Sequence, residues 1–197
     1  KTQSSSMGQG VHHLFDRLLN RLGASLIRTI TKSMMRLMGQ HFVTGTSIES
    51  AMQRAADEQV QGLVHTYDML GESAITNDEA EQYLTRYEKA ICTIAEAGFE
   101  AEGRGTVSVK LSALYSRYEE NQRDSVLSVL FDRMARLVSL AQQKNVCITI
   151  DAEEMDRLEL SLDIFEQLLT LPDIPAWGGL GLAVQAGPLS IPIELRA

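Results

Sequence analysis

Val146-Cys147-Ile148-Thr149-Ile150-Asp151-Ala152-Glu153-Glu154 is a β-branched run that ends abruptly in carboxylates. Val146, Ile148 and Ile150 alternate with Cys147, Thr149 and Asp151, the two-residue period of a strand with unlike faces. One face is greasy; the other is small and polar and finishes in Asp151. In parallel α/β proteins the C-terminal ends of strands are where chemistry is assembled, so an acid there is a candidate site residue. A carboxylate that only caps the next helix is the plain alternative, and the run alone leaves both open. Neighbouring runs that repeat the arrangement shift the balance toward a site.

Three other runs do repeat it. Residues 63–70 (L-V-H-T-Y-D-M-L) carry Asp68 and lead into Gly71 and Glu72. Residues 107–114 (V-S-V-K-L-S-A-L) set Val109 and Leu111 against Ser108, Lys110 and Ser112, which predicts a strand along the whole run. Residues 180–186 (L-G-L-A-V-Q-A) set Leu180, Leu182 and Val184 against Gly181, Ala183 and Gln185.

Helical patterns separate the four runs. Ser47 is an N-cap for a helix reaching about Gln59, with Glu49 and Glu58 at its ends. Thr76 and Glu79 have capping-box spacing, and the helix they open buries Ala80, Tyr83, Leu84, Tyr87, Ile91, Ile94 and Ala95 before Gly98 and the 103–105 turn. Asp124 opens a helix with an apolar stripe of Leu127, Leu130, Phe131, Met134, Leu137, Val138 and Ala141. A further helix uses Leu158, Leu162, Phe165, Leu168 and Leu169 and stops at Pro172. Upstream, 11–38 is helical in pattern and locally basic, and Gly23 is expected to break it into two helices; His12 and His13 are read as surface residues, and 1–10 is expected to be a polar, small-residue end with no function.

Composition sets outer bounds. The 197 residues are 44% hydrophobic, enough for a core. A formal charge of −8 argues against a nucleic-acid surface, which needs clustered Lys and Arg. No apolar run has the length of a membrane span, and no signal-peptide pattern opens the chain; peripheral membrane attachment stays compatible. Cys92 and Cys147 fall in no CxxC spacing, so neither zinc nor a disulfide is expected and a reducing, cytoplasmic setting is the plain reading.

The order β-α-β-α-β-α-β requires parallel strands with right-handed crossovers. A parallel (β/α)8-type barrel, represented by about its first half, turns the branched residues toward the helices. Ser108, Lys110, Ser112, Thr149, Asp151, Gly181, Ala183 and Gln185 are then inside, small below and polar at the top. A doubly wound sheet has the same element order, yet 68–72 (D-M-L-G-E) is not the Gly-rich phosphate loop that usually follows its first strand. The division expected is an end at 1–10, helices over 11–60, the half-barrel over 61–186 and a separate tail over 187–197.

The four strand ends, taken in order, are 67–72 (Y-D-M-L-G-E), 109–114 (V-K-L-S-A-L), 150–154 (I-D-A-E-E) with Asp156-Arg157-Leu158, and 184–186 (V-Q-A). This set closely resembles the proline dehydrogenase domain of the bifunctional proline utilization flavoenzymes (PutA), from about Met35 to Ala186. The resemblance implies a distorted barrel holding FAD non-covalently, oxidation of L-proline to Δ1-pyrroline-5-carboxylate, and electrons leaving to a membrane quinone. It implies that Lys110 pairs with the proline carboxylate and that Asp151 lies beside it at the flavin edge. Ala152 would lie next to the flavin and Gln185 would hydrogen-bond the isoalloxazine ring. Glu72 would be the acidic half of an ion-pair gate over the substrate, with Asp68 in the same region. A cytoplasmic protein, peripheral on the inner face of the cell membrane, with an aldehyde dehydrogenase domain in its parent chain, is the corresponding expectation.

Lys110 and Asp151 can also be a purely structural salt bridge, and Lys110 can be read as the Schiff-base lysine of a barrel aldolase. The resemblance stops at Ala186: a tyrosine and a basic helix are implied next, and 187–197 (G-P-L-S-I-P-I-E-L-R-A) does not match. The implied arginine pair on the substrate carboxylate, and the gate arginine facing Glu72, belong to later family segments. The expectation is therefore a chain that does not oxidise proline by itself, binds FAD weakly or not at all, and is open to self-association through unpaired strand edges. A catalytically silent half-barrel serving as scaffold or oligomer is the other class.

Overall fold

The structure, a computed structural model, describes residues 28–35, 39, 43–59, 63–98 and 105–185. Two compact units divide the chain, Lys1–Ala51 and Met52–Ala197, and the second carries the sheet. Within the first, residues 28–35 are helical. The expectations for 1–27, the 103–104 part of the turn, and the tail at 187–197 lie outside the described residues.

Helix α1, Ile48–Gln59, starts where Ser47 was expected to cap it: the Ser47 hydroxyl accepts the Ser50 N–H at 3.3 Å. The elements that follow are β1 (Thr66–Asp68), α2 (Asn77–Glu96), β2 (Thr106–Val109), the one-turn α3 (Leu111–Leu114), α4 (Arg123–Lys144), β3 (Cys147–Ile150), α5 (Leu158–Leu169), α6 (Ile174–Trp177) and β4 (Leu180–Leu182). The capping box of α2 is complete: the Glu79 N–H donates to Thr76 Oγ1 at 3.2 Å, and the Thr76 N–H donates to Glu79 Oε2 at 3.3 Å. Thr76→Ala is expected to cost about 1 kcal/mol in urea unfolding, because one orphan helix N–H loses its acceptor.

The four strands form one parallel sheet in the order β1-β2-β3-β4. That order is the sequence order, so right-handed crossovers put the connecting helices α2, α4 and α5 on one face. A doubly wound sheet instead reverses its strand order at a switch point. The architecture is therefore that of a (β/α)8-type barrel, of which four strands are described.

Tyr67, Val107, Ile148 and Leu180 form one cross-strand row, and Val109, Ile150 and Leu182 the next on the same face. Val107, Val109 and Ile150 are fully buried there, where α2 packs on β2 and α4 on β3. The opposite row reads Asp68, Ser108, Thr149, Gly181. One step further along the strands it continues as Lys110, Asp151 and Ala183, since the Asp151 N–H donates to the Val109 carbonyl and the Ala183 N–H to the Ile150 carbonyl. The inside-outside assignment read from alternation holds for these positions.

Three expectations need correction. The second strand does not run to Leu114: it ends at Val109, and Leu111, Ala113 and Leu114 bury themselves in a helical turn closed by the Ala113 N–H on the Lys110 carbonyl. The outer strands are shorter than 63–70 and 180–186, because Leu63, Val64, Leu70 and Val184 lie exposed beyond the paired residues. The apolar stripe of α5 is rotated: Leu160, Ser161, Ile164 and Leu168 are buried, whereas Leu169 is exposed. Leucines occur on both sides of this helix, so periodicity alone did not choose the side that packs on α4.

Candidate active site at the strand ends

Lys110 leaves β2 in an extended conformation, φ −92° and ψ 122°, as the residue that caps α3. Its backbone N–H donates to the Tyr87 hydroxyl at 3.2 Å. Tyr87 is fully buried on α2, so the helix layer fixes the backbone from which the lysine side chain projects. Burial pushes the Tyr87 phenol up to about 12, which keeps it neutral at physiological pH.

Nζ of Lys110 donates to Asp151 Oδ2 at 2.7 Å and to Asp68 Oδ1 at 2.8 Å. The side chains of Lys110, Asp151 and Asp68 are 15%, 28% and 51% exposed. Three successive strands thus each deliver one charged group to the same rim. Burial pulls the ammonium pKa down, but the hydrogen bonds it donates to Asp151 and Asp68, with their charges, overcome this and hold it above the usual lysine value. The second oxygen of Asp151 accepts the Ala152 N–H at 2.9 Å, so both carboxylate oxygens are engaged.

This arrangement bears on the aldolase reading. A Schiff base forms from the neutral amine. A lysine whose pKa is raised stays protonated below that pKa, through neutral and mildly alkaline solution. Incubation with an α-keto acid and cyanoborohydride at about pH 7 to 9 is expected to leave Lys110 unmodified by peptide mass mapping. An adduct at Lys110 would restore the aldolase reading.

Glu72 and Gln185, which the sequence placed at the rim, are both exposed and line one hollow with Ser73, Ser112, Ala152 and Glu153. Asp151, Ala152, Ala183 and Gln185 also line an adjoining hollow. Lys110, Asp151 and Gln185 therefore meet at one end of the sheet. Among the described residues no cation pairs with Glu72. Asp68 pairs with Lys110.

Glu153 was not singled out from sequence. Its side chain is 7% exposed; Oε1 accepts the Ser112 N–H at 3.0 Å and Oε2 pairs with Arg157 at 3.4 Å. Arg157 also pairs with Glu154 at 2.9 Å and lies over the Tyr118 ring. The Tyr118 hydroxyl contacts Ser161 Oγ at 2.8 Å. The spacing of Glu153 and Arg157, one helical turn apart, was the available signal.

A parallel half-barrel whose strand ends converge a lysine and two aspartates defines an α/β-barrel protein with a charged, ligand-accessible rim. Comparison with known proteins then fixes the family. The proline dehydrogenase family matches residues 51–187. The bifunctional protein PutA of Escherichia coli K12 is 41% identical over 185 residues, covering 91% of this chain and 14% of its own length. Proline dehydrogenase 1 of Bacillus subtilis subsp. natto is 33% identical over 132 residues, 67% of this chain and 40% of that protein. A crystal structure of Bdellovibrio bacteriovorus proline utilization A inactivated by N-propargylglycine superposes with a TM-score of 0.76 at 26% identity, covering 81% of this chain and 18% of the other. The chain belongs to the proline dehydrogenase family of oxidoreductases.

Proposed function

We propose that this rim is the carboxylate-reading and flavin-facing part of an FAD-dependent dehydrogenase that converts L-proline to Δ1-pyrroline-5-carboxylate. The observation that carries the reading is the Lys110 ammonium held between Asp68 and Asp151 at the strand ends. An ammonium has three donors, and Asp68 and Asp151 take two. The third is the donor for an amino-acid carboxylate. Glu72, at the hollow it lines with Ser112, Ala152, Glu153 and Gln185, is the gate residue in this reading. Asp68 acts through Lys110, not on the substrate.

Residues of the interior face suit a flat cofactor. Gly181, Ala183 and Ala152 are small, and a Cβ added at Gly181 would meet nothing closer than Thr149 Oγ1 at 3.4 Å. Ala152 would lie against the ring and the Gln185 amide, donor and acceptor at once, would pair with its pyrimidine edge. When bound, FAD supplies the two-electron acceptor. The protein's share is to orient the ligand carboxylate through Lys110 and to hold that lysine with Asp151. A membrane quinone would be the onward electron acceptor, which would set the protein in the cytoplasm at the inner face of the cell membrane, in a longer chain with an aldehyde dehydrogenase domain. Among the described residues no helix is long and apolar enough to cross a membrane.

The rim triad carries a net negative charge, one ammonium against two carboxylates. Binding an anionic carboxylate strongly needs further cations, so the 197-residue chain alone is expected to bind proline weakly and to turn it over at background rate. The test is an NMR titration of this chain with L-proline and with pyrrolidine, which lacks the carboxylate, followed by an FAD absorption scan and a dye-linked proline assay. Proline should move the Lys110, Asp151 and Ala152 signals and pyrrolidine should not. Equal shifts from both ligands, or none from proline, would sink the carboxylate reading; proline oxidation by the isolated chain would sink the weak-binding one. Exposed Leu63, Val64 and Val184 beside the outer strands favour self-association as a second property, read by sedimentation velocity.

A further inference from the structure

We propose that Ser112 is a positioning residue that holds the Glu72-bearing turn over the Lys110 rim. The proposal rests on the substrate reading given above.

Ser112 is 3% exposed and lies two residues beyond Lys110, in the turn α3. Its three polar groups reach the loops on either side of it. Its N–H donates to Glu153 Oε1 at 3.0 Å, in the loop after β3. Its hydroxyl accepts the Ser73 N–H at 3.0 Å, and its carbonyl accepts the Ala74 N–H at 2.9 Å, both in the loop after β1. One buried serine therefore joins the loops that follow three strands. Glu153 is itself fixed by Arg157.

The turn needs such an anchor. Ser73 has φ 54° and Gly71 has φ 131°. A left-handed serine is an uphill conformation that persists only where its surroundings impose it. Glu72 sits between these two residues, exposed, at the edge of the shared hollow. In this proposal the two bonds to Ser112 set where Glu72 stands at that hollow, and so the width of its opening. Ser112 follows Lys110 by two residues, which ties the turn to the segment that carries the lysine.

Ser112→Ala removes the hydroxyl acceptor and keeps both backbone links. Hydrogen exchange by NMR on this chain is expected to show the Ser73 amide exchanging about tenfold faster, the effect of one lost hydrogen bond, with strand amides in β2 and β3 unchanged. Ser112→Thr, which retains an oxygen, should restore the protection. In Ser112→Ala the L-proline titration should need several-fold more ligand to reach the same Lys110 shift. A uniform rise in exchange across the sheet, with a lower melting temperature, would reduce Ser112 to a packing residue. Unchanged Ser73 exchange would overturn the anchor. Faster Ser73 exchange with unaltered proline affinity would overturn the control of the opening. Proline that fails to shift the unsubstituted chain would instead refute the substrate reading and leave the exchange result standing.

Discussion

Lys110→Met is expected to lower the unfolding free energy by about 2 kcal/mol in urea titration and to abolish the proline-dependent shifts at Asp151 and Ala152. The loss comes less from the missing attraction than from what is left behind. Asp68 and Asp151 both lie within 2.8 Å of one nitrogen, and methionine leaves them facing each other with no counter-charge. Removing one partner of a fully buried pair costs about 3–5 kcal/mol. Asp68 is half exposed, and water screens its share, which brings the figure down. The triple variant that adds Asp68→Asn and Asp151→Asn should recover most of the stability, yet none of the ligand response. A Lys110→Met protein as stable as the original would mean the rim charges are held by solvent and not by one another.

Gly71→Ala is expected to cost about 3 kcal/mol, split between two causes. At φ 131° a side chain is strained whatever space surrounds it. An added Cβ would also fall 2.6 Å from the Tyr83 hydroxyl and still closer to its ring, so the ring must move. The Tyr83→Ala background separates the two: there the steric part vanishes and the backbone part remains, and the double-mutant cycle gives the difference directly. Equal losses in both backgrounds would show that Tyr83 swings aside freely. The variant should also lose protection at the Ser73 amide, since the turn that presents Glu72 begins at this glycine.

Much of the fold was legible because local rules agreed with one another. Alternation over 146–151 placed Ile148 and Ile150 under helices and Asp151 at the rim, and the Thr76–Glu79 spacing located the start of α2. The errors arose where one local pattern had two continuations. Val109-Lys110-Leu111-Ser112 alternates as a strand, but Leu111 and Leu114 bury equally well in a helical turn, and burial decided. Leu158, Leu162, Phe165 and Leu169 look as good a stripe as Leu160 and Ile164, with Leu168 expected and found buried, and only the neighbouring helix chooses. At the site, residue types pointed to Lys110, Asp151 and Gln185. The attachment of Asp68 to Lys110, the anchoring of Glu153 on Ser112 and the Tyr87 hydroxyl beneath Lys110 span 42, 41 and 23 residues of chain. No window of sequence contains such pairs.

The ammonium bridging three neighbouring strands also acts as a register mark. Parallel strands of three or four residues have few ladder bonds to define their alignment, and a slip of two positions keeps every side chain on its own face. Hydrophobic patterning is blind to that slip. Displacement by two residues, about 6.6 Å, would carry Lys110 out of reach of both aspartates at once. A group placed to meet a ligand thereby fixes the alignment of strands that apolar packing would leave degenerate.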